Sequence, residues 1–146
     1  KLLLAMTKPK RILEVGTAVG FSSILMAEYD PVPCEIVTIE NYEKRIPIAR
    51  ENFKRAGKEE QITLLEGDAA EILPTLTEPF DLIFMDIYLN ELNGIDIVRK
   101  IRQMDSKVMI VFLTTSKEHM FSGFLFILSQ IIWMIQDFFS ATVESC

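Results

Sequence analysis

The chain has 146 residues, about the size of one ordinary domain, enough to bury a core and too few for two independent ones. Its 15 Lys and Arg stand against 21 Asp and Glu, a net charge of −6 with no basic run, which argues against non-specific nucleic-acid binding and leaves room only for a small RNA site. Two cysteines, Cys34 and Cys146, lie far apart without metal-ligand spacing and point to free thiols in a reducing, cytoplasmic setting.

The chain opens on Lys1 rather than Met, runs almost at once into a strand-like segment, shows no signal-peptide pattern, and so reads as a fragment. "MTKPKR", Met6 to Arg11, is a short solvated stretch before "RILEVG", the first of five runs rich in Ile, Leu and Val. That run carries Glu14 and Gly16, then passes through the small-residue turn Thr17 to Gly20 into a helix predicted to open near Ser22. The second run, "EIVTIE", closes on Glu40. "NYEKRIPIARENFKRAG" then places Ile46, Ala49, Phe53 and Ala56 on one helical face, with Gly57 as its stop. "ITLLEG" leads into "GDAAEILP", with Asp68 and Ala69 at the strand end, and "DLIFMD" ends on Asp86. Ile95, Val98 and Ile101 mark the next helix face, and "VMIVFLT" ends on Thr114.

Continuous apolar strands of this kind belong to a parallel sheet covered on both faces. The expectation is therefore a single α/β domain over residues 1–146, doubly wound, with ligands bound beyond the carboxyl ends of the strands. The tail departs from this order. "MFSGFLFILSQIIWMIQDFF", Met120 to Phe139, is apolar on nearly every side and close to the ~20 residues that span a bilayer. Ser122, Gln130 and Asp137 interrupt it, so it is expected to be an apolar helix that packs on the sheet or drives self-association, not a membrane span.

In the turn after the first strand, Gly16 and Gly20 are expected to remove side chains where backbone approaches a ligand, and the following helix offers free N–H groups to an anionic group. The spacing is G-x-x-x-G rather than the G-x-G-x-x-G of dinucleotide sites, which disfavours a dinucleotide. Glu40, twenty residues after Gly20, stands where a carboxylate accepts hydrogen bonds from two ribose hydroxyls. Asp68 is placed to accept from an exocyclic amine while Ala69 leaves room for a flat ring. A nucleoside with an amino-acid-like end would use all of these; the alternative is a glycine turn with ordinary N-cap residues and no ligand.

"KRILEVGTAVGFSSILMAE", "VTIENYEKRIPIARENFKRAG", "ITLLEGDAAEILPTL" and "FDLIFMD" together resemble the S-adenosylmethionine-dependent O-methyltransferases of the bacterial and caffeoyl-CoA type, over about residues 1–86. The resemblance implies that Glu14, Gly16 and Ser22, with Thr17 and Gly20 in the same turn, hold the amino-acid end of S-adenosylmethionine, that Glu40 holds its ribose, and that Asp68 and Ala69 border its adenine. It also implies a small-molecule hydroxyl acceptor, with phenols, coenzyme A esters and modified tRNA bases all open, and a catalytic Asp86 that helps bind a divalent metal such as magnesium. Such a metal lowers the acceptor hydroxyl's pKa and holds it in line with the methyl group. One carboxylate does not make that site, and the family's further acidic and amide ligands, a D-N pair on the next strand, have no counterpart here.

"DLIFMDIYLNELNGIDIVRKIRQMDSKVMIVFLTTSKEH", about residues 81–119, resembles a response-regulator receiver, which would make Asp86 a phospho-acceptor, with Thr114 closing on the phosphate. Asn90 stands where that family has proline, the first strand has no acidic pair for magnesium, and no lysine follows Lys117. Both resemblances put a buried strand ending in Asp beside the first strand, so a join near residues 81–86 keeps a Rossmann-like sheet of order 3-2-1-4-5. Residues 120–146 resemble neither family. His119, the one histidine, stands beside Glu118 at a solvated helix start, leaving no histidine general base.

Overall fold

The computed structural model describes residues 1–86 and 94–113. Its elements are α1 (Leu2–Thr7), β1 (Arg11–Val15), α2 (Phe21–Tyr29), β2 (Glu35–Glu40), α3 (Ile46–Ala56), β3 (Ile62–Glu66), α4 (Ala69–Ile72) running into a 3-10 turn (Leu73–Thr75), β4 (Leu82–Asp86), α5 (Gly94–Met104) and β5 (Met109–Leu113). All five predicted strands are present, every described pairing is parallel, and the order is β3-β2-β1-β4-β5.

The central strand explains the order. Ile12, Leu13, Glu14 and Val15 of β1 are all buried, so both faces of the sheet are covered, as a doubly wound arrangement requires. Leu13 sits opposite Val37 of β2 on one side and Ile83 of β4 on the other. At the amino edge, Asp81 Oδ2 accepts from the backbone N–H groups of Lys10 (2.8 Å) and Arg11 (3.0 Å), while its own N–H donates to the Arg11 carbonyl (2.9 Å). This clamp sets β4 against β1 and so brings the opposite strand ends level.

The helix over Ile46–Ala56 follows its sequence pattern: Ile46, Ala49 and Phe53 are buried, Lys54 and Arg55 complement the dipole in its last turn, and Gly57 closes it at φ 63°. In α5 the buried residues are Ile97, Val98 and Ile101; Ile97 extends the predicted face, and the side chain of Ile95 lies outside the described set.

The opening differs from expectation. Leu2–Thr7 is a short helix rather than a strand-like lead-in. Leucine, alanine and methionine are all good helix formers, and Leu4 is buried in the same core cluster as Ile12. Lys8 takes a left-handed cap conformation and Pro9 prevents continuation, so extended chain begins only at Arg11.

The predicted tail over Met120–Phe139 and the loop 87–93 lie outside the described residues. Among the described residues, no helix is long and apolar enough to cross a membrane.

Candidate cofactor site

Three strand ends are tied together at the carboxyl edge of β1, β2 and β3. The backbone N–H groups of Gly16 and Thr17 both donate to the carbonyl of Ile39, at 3.0 and 3.1 Å, and Gly67 N–H donates to the carbonyl of Glu40 at 2.9 Å. Gly16 at φ 102° and Gly67 at φ 141° hold conformations that a side chain would strain, which is why both turns are written with glycine.

Between these turns lies the buried side chain of Glu40. Its Oε2 accepts from Ala18 N–H at 2.6 Å and its Oε1 from Tyr42 N–H at 3.0 Å. A carboxylate offers about four acceptor positions. With these the only donors to it among the described residues, one position remains on each oxygen, which suits a vicinal diol.

Glu14 lies deeper, 2% exposed. The hydroxyls of Ser22 and Ser23 donate to Oε1 and Oε2 respectively, and Thr38 Oγ1 donates to Oε2 at 2.6 Å. Thr17 and Thr38 share a further hydrogen bond of 2.6 Å between their hydroxyls. The sequence placed Glu14 against the ligand directly; here its carboxylate is occupied chiefly by the protein's own hydroxyls, leaving Ser22, the half-buried one, towards the opening.

Burial pushes the Glu14 carboxyl above its ordinary value of 4.5; the three hydroxyl donors oppose that shift, and the charge of Glu40 adds to it. The folded state therefore holds this proton to higher pH than the unfolded chain does. Above about pH 4.5 the native protein therefore binds more protons than the unfolded chain, and stability falls with rising pH until the folded group has ionised. Glu14→Gln is expected to remove this contribution, so urea midpoints measured against pH should fall less steeply there than in the wild type. Parallel curves would show that Glu14 ionises alike in both states.

Asp68 caps α4, its Oδ1 accepting from Ala70 N–H at 2.7 Å. Its Oδ2 has no hydrogen-bond partner among the described residues and keeps acceptor capacity beside the Gly67 turn. Ala69 is buried in the first turn of α4.

Gly20 also answers to packing. At φ 84° a Cβ there would lie 2.4 Å from Cε1 of Phe53. Its missing side chain admits the ring of α3, so packing by itself already requires glycine at this position. The neighbouring Val19 carbonyl accepts from Asn52 Nδ2 at 2.8 Å, a second tie from α3 to the turn.

Asp86 ends β4, paired through its Cα with Leu113, and its side chain lies outside the described set, as do Asn90 and Thr114. Among the described residues, no three His, Cys, Asp or Glu side chains gather as metal ligands.

Sequence reading missed Ser23 and Thr38, both fully buried. The signal was available in "EIVTIE": a hydroxyl within an otherwise apolar buried strand must have a partner.

A parallel sheet of order 3-2-1-4-5, with a glycine turn after its first strand and a carboxylate closing its second, defines a Rossmann-like domain of the methyltransferase type. A model of the O-methyltransferase family matches residues 1–117, and the chain belongs to that family. The matched residues take in nearly all of the stretch that resembles a receiver, so a join near residues 81–86 has no support from them.

A catechol O-methyltransferase of Niastella koreensis is 40% identical over 90 residues, covering 59% of this chain and 41% of the relative. One of Mycobacterium tuberculosis is 40% identical over 86 residues, covering 58% and 39%. The crystal structure of an O-methyltransferase from Bacillus cereus in complex with S-adenosylhomocysteine superposes with a TM-score of 0.64 at 29% identity, over 76% of this chain and 52% of that one. The chain thus spans about two fifths of the length of these curated relatives.

Proposed function

We propose that this chain is the cofactor-binding part of an S-adenosylmethionine-dependent O-methyltransferase that acts on a small-molecule hydroxyl acceptor in the cytoplasm. The observation that carries the reading is Glu40, whose two oxygens are each fixed by one backbone N–H and each keep a lone pair beside the glycine turn. The ribose diol donates to those lone pairs. Ser22 Oγ and Glu14 Oε1 accept from the ammonium end, and the Gly16 and Thr17 segment passes beneath it without a side chain at the glycine. Asp68 Oδ2 accepts from the adenine amine, while Ala69 borders the ring. The bound cofactor supplies an electrophilic methyl group. The names of the Niastella and Mycobacterium relatives favour a phenolic acceptor over a coenzyme A ester or a modified tRNA base. Asp86, at the end of β4, is assigned to the reacting end, where it would orient the acceptor hydroxyl; no step is assigned to magnesium.

Calorimetry with S-adenosylhomocysteine is the direct test. Saturable binding is expected, and ligand at about 100 times its dissociation constant should stabilise the fold by about 2.7 kcal/mol, visible as a raised melting temperature. A folded protein that shows neither heat of binding nor thermal shift would sink the reading.

A further inference from the structure

Glu14 and Thr38 are cross-strand partners in the β1–β2 register, so both side chains leave the sheet on the same face. A threonine hydroxyl has one proton. That of Thr38 goes to Glu14 Oε2, so the 2.6 Å bond between Thr38 and Thr17 must be donated by Thr17. The order is thereby fixed as Thr17 to Thr38 to Glu14. Thr17 is 1% exposed, and Thr38 and Ser23 are each 0% exposed, so water does not compete for these bonds.

The two oxygens of Glu14 are served unequally. Among the described residues, Oε2 takes two donors, from the buried Ser23 and Thr38, whereas Oε1 takes one, from Ser22. Valine would fill the Thr38 position equally well in a buried strand, and the hydroxyl is costly there unless bonded. Glu14 is the reason for it.

We infer that Thr38, with Thr17 behind it, is a positioning residue of the cofactor turn: it ties Oε2 of Glu14 into the sheet and leaves Oε1 with the Ser22 oxygen for the ammonium group of an amino-acid-like ligand. The ligand rests on the proposed function; the hold on Glu14 rests on the hydrogen bonds alone. Around Glu14 stand Ser22 and Ser23 from α2, Thr38 from β2, and the uncharged Phe84, its partner on β4. Among the described residues, Glu40 is the other titratable group acting on it.

The full 146-residue chain is compared with Thr38→Val, Thr38→Ser and Thr17→Val. S-adenosylhomocysteine affinity is measured by calorimetry from acid to neutral pH, and the Glu14 carboxyl is titrated by carbon NMR in ligand-free protein. Thr38→Val is expected to weaken binding about tenfold, to move the acid limb of the affinity to higher pH, and to raise the Glu14 titration. Thr38→Ser should restore all three.

A folded Thr38→Val with wild-type affinity and an unmoved Glu14 titration overturns the inference. So does lost affinity with an unmoved titration, which a merely structural role would give. Absence of binding by the wild type overturns the cofactor reading instead; the NMR titration then decides alone, an upward shift supporting the hydroxyl chain and no shift overturning it. Should Thr38→Val not fold, Thr17→Val carries the same comparison with a smaller expected shift.

Discussion

Glu40→Ala is expected to weaken S-adenosylhomocysteine binding by at least about a hundredfold. Two hydrogen bonds from the ribose to a charged acceptor are lost, each worth about 1.5–3 kcal/mol, and every 1.4 kcal/mol or so is a factor of ten. The substitution does a second thing. It frees the backbone N–H groups of Ala18 and Tyr42, which Glu40 holds at 2.6 and 3.0 Å, and so loosens the turn on which the other end of the ligand rests. Glu40→Gln separates the two effects. An amide keeps the shape, yet its NH2 must face one of those N–H donors, so an intermediate loss is expected. Calorimetry on both variants checks the pair, and an unchanged dissociation constant in Glu40→Ala would remove Glu40 from the site.

Gly20→Ala is expected to destabilise the fold by about 3 kcal/mol, through two causes that a double mutant can separate. A left-handed backbone costs a residue with a Cβ about 1–2 kcal/mol, and overpacking a filled core costs about 1–3 kcal/mol more. The second cause has a single address, the Phe53 ring 2.4 Å from the new Cβ. Phe53→Leu gives the methyl group room at the cost of a smaller side chain. Gly20→Ala with Phe53→Leu should therefore be less destabilised than the sum of the single changes by about 1–2 kcal/mol, with the backbone cost remaining. Urea midpoints of the four proteins measure the coupling. Strict additivity would show that Phe53 is not what Gly20 makes way for.

The strands were the most legible part of the chain, because a strand buried on both faces must be apolar at successive positions, and Ile12 to Val15 departs from this only at Glu14. That exception marked the site. The helix at Leu2–Thr7 was not legible as such, since a run of leucine, alanine and methionine suits a helix and a buried strand alike and the burial of Leu4 in the core is tertiary. Gly20 stands out in the sequence as a special position, but its packing against Phe53 does not: that partner lies far along the chain on another helix, and a one-dimensional pattern shows only that a side chain is missing. Thr38 was overlooked for the opposite reason. Threonine is at home in strands by propensity, so "EIVTIE" signals only that a buried hydroxyl needs a partner and not that the partner is Glu14. The resemblance over residues 1–86 came from just these strand ends. The text after Asp86 also suits a receiver, because both families bury a strand that ends in Asp; the family match through residue 117 covers it with the methyltransferase alone.

The neighbours in space β1, β2 and β3 are also neighbours in sequence, and they supply Glu14, Glu40 and Asp68, every carboxylate assigned to the nucleoside. β4 reaches β1 only through contacts that close some seventy residues of chain, as the Asp81 bonds to Lys10 and Arg11 do. Chains are made from the amino terminus, and local contacts close before distant ones. On the ribosome, then, β1, β2 and β3 emerge before β4 and β5 can close on them.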